Sequence, residues 1–191
     1  MPAPHTEQDV VERRARVLVA ARWCFLNFGF AKTSLEDIAR RAGLSRTLLY
    51  RMFAGKEEIL TAVFEDWLIA RHPAAREAAE GRGSAADRLM RVCRLLAIEP
   101  WAEMAKATMG GEFHEVCERF TPESEAHYRK MMCDCVATVL GDEESAEVFV
   151  LALDGQFTDR PSAEVLEQRT QLLAARFAKR TSNRRTARNR S

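Results

Sequence analysis

Nowhere in its 191 residues does the chain carry eighteen consecutive apolar residues, so no segment is suited to cross a bilayer as a helix and no membrane partner is expected. The N-terminus also lacks an apolar core ahead of a cleavage site, because Glu7, Asp9, Glu12, Arg13, Arg14 and Arg16 interrupt it. A cytoplasmic protein is expected. β-Branched runs at period two are missing, whereas Ala, Leu, Glu and Arg recur at helical spacings, which argues against a sheet and predicts an all-α fold. No internal repeat shows at a fixed period, so a solenoid is not expected. The five cysteines (Cys24, Cys93, Cys117, Cys133, Cys135) are few and odd in number, which argues against a disulfide framework.

Catalytic signatures are missing as well. There is no glycine-rich phosphate loop and no nucleophile elbow, and His114-Glu115 lacks the second histidine that a helical zinc protease needs. No enzyme and no cofactor are expected. For a metal, His114 and Cys117 lie three apart, and Cys133 and Cys135 follow His127. Side chains two apart on a helix point roughly 200° from one another, so Cys133 and Cys135 cannot share an ion without unwinding. No metal site is expected; buried structural cysteine is the default, and a metal- or redox-sensing helical protein is the alternative.

What is present is concentrated in residues 33–53, which read as two short helices joined by a tight turn. Thr33 or Ser34 can cap the first, with Glu36 three residues after Thr33 as a capping box wants. Leu35, Ile38, Ala39 and Ala42 form its buried face, and Gly43 follows where a positive φ is needed. Ser45 caps the second helix, which turns Leu49 inward, with Phe53 closing its end. Arg46, Thr47, Tyr50 and Arg51 remain outside, and these are types that donate to phosphates and base edges. Between Lys32 and Lys56 the net charge is +4, in a chain whose total is +1. A local basic surface of this kind supplies sequence-independent affinity for DNA.

Residues 14–64 resemble the N-terminal DNA-binding domain of the TetR family of bacterial transcriptional regulators. The likeness rests on Phe25-x-x-x-Gly29-Phe30, on Thr33-x-x-x-Ile38-Ala39-x-x-Ala42-Gly43-Leu44-Ser45, on Leu49-Tyr50-x-x-Phe53, and on Gly55-Lys56-Glu57-Glu58-Ile59-Leu60. The resemblance implies phosphate contacts from Thr33, Ser45, Tyr50 and Lys56, and base contacts from Arg46 and Thr47, with Arg51 beside them. It also implies a double-stranded DNA operator, a homodimer and a small-molecule effector as partners. Thr47-Leu48 and Met52 depart from the common pattern, so no operator sequence carries over.

The expected organisation is a helix-turn-helix domain over 7–54, a helical regulatory and dimerisation domain over 55–180 in which 55–72 is a connecting helix, and a basic, disordered tail over 181–191. Residues 1–6 are expected to fray, and Pro73 to end the connecting helix. The wide apolar girth of the first helix around Arg22, Trp23 and Phe28 is expected to pack onto the ligand domain, a tolerated exposed aromatic being the other reading. A ligand pocket, implied by the resemblance, would draw on Leu96, Trp101, Met104, Met109, Phe113, Cys117, Phe120, Tyr128 and Met131, although the same residues describe an ordinary helical core. The last two helices carry more apolar surface than a monomer needs. A two-fold interface through Phe149, Ala152, Gly155, Val165, Leu172 and Leu173, with Val148, Leu151, Leu166 and Phe177 nearby, is expected, a plain core hairpin being the other reading.

Overall fold

The computed structural model describes the backbone of residues 7–188 and the side chains of residues 7–179, those of 114 and 118 excepted. Among the described residues all regular structure is helical: α1 (Glu7–Phe28), α2 (Leu35–Ala42), α3 (Arg46–Met52), α4 (Lys56–Trp67), α5 (His72–Glu80), α6 (Ala85–Cys93), α7 (Glu99–Ala105), α8 (Gly110–Phe120), α9 (Pro122–Leu140), α10 (Glu143–Asp154) and α11 (Ala163–Arg188). None of these is long and apolar enough to cross a membrane. The chain forms two compact units, residues 1–67 with 106–125, and residues 68–105 with 126–191. The head is therefore not one continuous stretch ending at residue 54, since α4 and the distant α8 pack into it.

In the first unit α1 supplies Val17, Ala21, Cys24 and Phe25 to a core closed by Ile38, Leu49, Ile59, Leu60 and Phe64. Full burial of each large side chain contributes about 1.5–3 kcal/mol. From α8, the buried Phe113 meets Trp67 edge-on at 5.9 Å, and Phe120 lies 5.2 Å from Phe30. The amide of Met109, just before α8, donates to the Leu26 carbonyl at 2.8 Å. The girth of α1 is accounted for within this unit: Arg22 lies over Trp67, and Trp23 packs against Phe28 and beneath Arg41.

In the second unit the sequence reading is corrected at Pro73, which lies in the first turn of α5 and does not end the connecting helix, since α4 already stops at Trp67, short of the expected residue 72. Proline fits there because the first turn of a helix needs no N–H from it. The stretch after it is helical to Glu80 because Ala75 and Ala79 are fully buried against the core. Ser84 then caps α6, in a capping box with Asp87. Between α6 and α7 the backbone widens into a π turn over Arg94–Ile98. Pro100 has no N–H to offer the Leu96 carbonyl four residues back, and the hydroxyl of Tyr128 donates to that oxygen instead. Asp142 caps α10 by accepting from the Ser145 amide at 2.7 Å. The backbone of α11 is helical as far as Arg188, where a disordered tail was expected. No glycine or proline interrupts it, so the helix propagates; residues 189–191, like the lead-in 1–6, lie outside the described residues.

Phe149 is fully buried, edge-on to Phe177 at 5.2 Å. Phe149→Ala should therefore destabilise the subunit by about 3–5 kcal/mol, read as a lower urea midpoint, by opening a cavity in the second unit.

Candidate nucleic-acid interface

The head's exposed surface is built at the junction of α2 and α3. Ser34 caps α2, accepting from the Asp37 amide at 3.1 Å, while the Asp37 carboxylate takes the Ser34 amide and hydroxyl and pairs with Arg40. Those bonds hold the Asp37 carboxyl below the usual carboxylate range. The capping box therefore runs from Ser34 to Asp37, not from Thr33 to Glu36. Thr33 is buried and its hydroxyl donates to the Gly29 carbonyl at 2.7 Å, so its side chain is not presented to a phosphate. This corrects the assignment of Thr33.

The turn out of α2 has Gly43 at φ 65, with its amide on the Arg40 carbonyl and the Leu44 amide on the Ala39 carbonyl. Arg16 reaches across from α1 to cap the same end: its Nε and one terminal nitrogen donate to the Ala42 carbonyl at 3.1 and 2.6 Å, and the latter also to Gly43 at 3.1 Å. Sequence reasoning missed Arg16, because a cation paired with carbonyls 26 and 27 positions away leaves no local signal. Ser45 then caps α3 by accepting from the Leu48 amide at 3.2 Å.

On α3, Leu49 faces the core, as does Phe53 at its C-cap, whereas Arg46, Thr47, Tyr50 and Arg51 are exposed. Arg46 is held in place. One of its nitrogens donates to the Tyr50 hydroxyl at 3.3 Å, its guanidinium stands 5.5 Å from the Tyr50 ring centre, and another nitrogen lies 3.8 Å from the Glu36 carboxylate. The bond to Tyr50, with the Glu36 charge behind it, raises the pKa of Arg46 above its ordinary value. Lys56 is placed differently from expectation. Its ammonium donates to the carbonyls of Phe30 at 2.6 Å, Thr33 at 3.1 Å and Ala31 at 3.5 Å, and sits 4.4 Å from the Phe30 ring centre. Its three donors are spent on the loop between α1 and α2, so the Lys56 side chain is a tether and not a phosphate contact.

The sequence profile described as "Bacterial regulatory proteins, tetR family" matches residues 17–63, from the core of α1 through α4. Over these residues the chain is similar to the DNA-binding domain of TetR-family regulators. It is 39% identical over 54 residues to the transcriptional activator FasR of Mycolicibacterium smegmatis, covering 28% of this chain and 25% of that protein. To the transcriptional repressor KstR2 of the same organism it is 36% identical over 73 residues, covering 37% of this chain and 36% of that one. The chain thus matches these curated relatives over only about a quarter to a third of their length. A TetR-like regulator from a Rhodococcus species superposes with a TM-score of 0.64 at 23% identity, over 86% of this chain and 94% of that one, which shows a common fold.

Outside the head, the structure sorts the other candidates. Met109, Phe113, Cys117 and Phe120 belong to the first unit; Leu96, Trp101, Met104, Tyr128 and Met131 belong to the second. Phe113, Cys117, Leu96 and Met131 are buried core, the Trp101 indole donates to the Pro161 carbonyl at 2.8 Å, and the Tyr128 hydroxyl is taken by Leu96. A groove of about 440 Å³ between α9 and α10, lined by residues such as Arg129, Cys133, Glu147 and Leu151, contains none of the nine.

On α10 and α11, Val148, Leu151, Ala152, Val165 and Leu172 are exposed, as is Gly155 just after α10. Phe149 and Leu173 are corrected: the first is core and the second half-buried against it, since on α10 a step of one residue turns Phe149 about 100° away from Val148. Among the cysteines, burial pushes Cys93 up to about 12 and Cys135 up to about 11, which makes both poor thiolates at neutral pH. Among the described residues no three His, Cys, Asp or Glu side chains gather as a metal site, and the side chain of His114 lies outside them.

Lys56→Ala should lower the stability of the head by about 1–3 kcal/mol in chemical denaturation, because it strips a charged donor from three carbonyls. The exposed Arg51→Ala should change it by less than about 0.5 kcal/mol.

Proposed function

We propose that the protein is a homodimeric DNA-binding transcriptional regulator, a repressor released from a palindromic operator by a small-molecule effector. The observation that carries this reading is the outer face of α3, where Arg46, Thr47, Tyr50 and Arg51 stand together on a helix fixed by the Ser45 cap, Leu49 and Phe53. Each subunit would lay α3 in a major groove, with half-sites about one helical turn or more apart. The two copies would meet through the exposed apolar residues of α10 and α11. Effector and operator would oppose one another by linkage, each weakening the other by the same factor. The matched relatives include one named an activator and one named a repressor, so an activator of the same fold is the second reading.

Selection of random duplexes by the purified protein tests the reading. A palindromic motif is expected, and its absence at low salt with the dimer intact would sink it. On the selected duplex, Arg51→Ala should weaken binding to all sequences and flatten the logarithmic salt slope by about 0.9, the mark of one lost phosphate contact. Arg46→Ala should instead cost about 1–3 kcal/mol of discrimination at one base pair. For the interface, Leu151→Glu combined with Leu172→Glu should convert the dimer to a folded monomer, as read by sedimentation equilibrium. A dimer that survives both changes would place the contact elsewhere.

A further inference from the structure

We propose that Glu36 is a specificity-determining residue of the α3 surface, holding Arg46 off the phosphates and reserving its guanidinium for the edge of a guanine. The inference rests on the DNA-binding reading above and adds a residue to it. Two acids stand in the first turn of α2, and only one is committed locally: Asp37 is engaged by Ser34 and Arg40. Glu36 is the acid over α3, well exposed and 3.8 Å from one Arg46 nitrogen, while another Arg46 nitrogen is held by the Tyr50 hydroxyl at 3.3 Å. The guanidinium is thus fixed from two sides. It has five N–H donors, so a fork remains for a planar pair of acceptors.

The electrostatics give this arrangement its consequence. An unopposed arginine gains from every phosphate, whatever the sequence. A carboxylate beside it is repelled by every phosphate, again whatever the sequence, so the pair cancels most of the non-specific attraction. What survives is hydrogen-bond geometry, and the O6 and N7 acceptors of guanine match an arginine fork. Glu36 would thereby exchange affinity for discrimination.

The test uses full-length wild type, Glu36→Gln, Arg46→Ala and the double variant. Each is titrated by fluorescence anisotropy, at several salt concentrations, against the duplex selected by wild type and a scrambled duplex of equal length. Glu36→Gln should tighten the scrambled duplex on the order of five- to tenfold at 0.1 M salt and steepen its salt slope by about one, as one more phosphate contact would. Binding to the selected duplex should change much less, so the ratio narrows. In the Arg46→Ala background the same change should leave the ratio unaltered. Equal tightening of both duplexes, no change in either, or the same narrowing without Arg46 would each overturn the proposal while leaving the DNA reading intact. A wild type that selects no motif would remove the DNA reading and this inference together. Both side chains are exposed, so thermal midpoints should match wild type and exclude misfolding.

Discussion

The orientation of α3 depends on how α2 ends. Three groups fix that end: Gly43 in the left-handed region, the Leu44 amide returning to Ala39, and the Arg16 guanidinium on the carbonyls of Ala42 and Gly43. A Cβ at position 43 would stand 3.1 Å from the Arg16 guanidinium as well as forcing a strained φ, so the glycine and the arginine constrain each other. Lys56 does the corresponding work at the start of α4, tying it to the carbonyls before α2. Both are cations placed on backbone oxygen inside the head, and neither is spent on its surface.

That use of positive charge explains where sequence reasoning held and where it did not. Ser45, Gly43 and Leu49 were legible because caps, turns and buried faces are set by neighbours within a few residues. The roles of Thr33, Lys56 and Arg16 were not, because each is decided by partners brought close only by folding. A lysine at the N-terminal end of a helix reads as an anion contact until the carbonyls of another loop are found around it. Phe149 failed for a smaller reason: both sides of α10 are apolar, and composition alone does not say which faces the core. Pro73 was read as a break, yet it sits in the first turn of a helix, and Pro100 follows a π turn whose Leu96 carbonyl takes a hydroxyl. The division of the chain also escaped the sequence, since α8 joins the head from more than forty residues beyond α4.

Charge on the outer surface is managed by pairing. Arg40 meets Asp37, Arg46 meets Glu36, and Arg41 lies against Trp23 at 3.3 Å from the ring centre. Counting basic residues between positions 32 and 56 therefore overstates the free positive charge that a polyanion would encounter. Arg51 carries more weight in such an encounter than the tally suggests, and Arg41 less, because withdrawing a cation from an aromatic face costs about 0.5–1 kcal/mol at an exposed site.

The chain has two tyrosines, and the fold gives them opposite environments. Tyr50 stands about half exposed on α3, whereas the phenol of Tyr128 is bound to the Leu96 carbonyl, to which Pro100 has no N–H to give. The protein consequently contains its own optical reporter. Surface iodination, followed by the absorbance of the iodinated ring, addresses the exposed Tyr50 before the hydroxyl-bonded Tyr128, so the second unit stays silent while α3 is being watched. A spectroscopist could follow what α3 touches without attaching a dye to it.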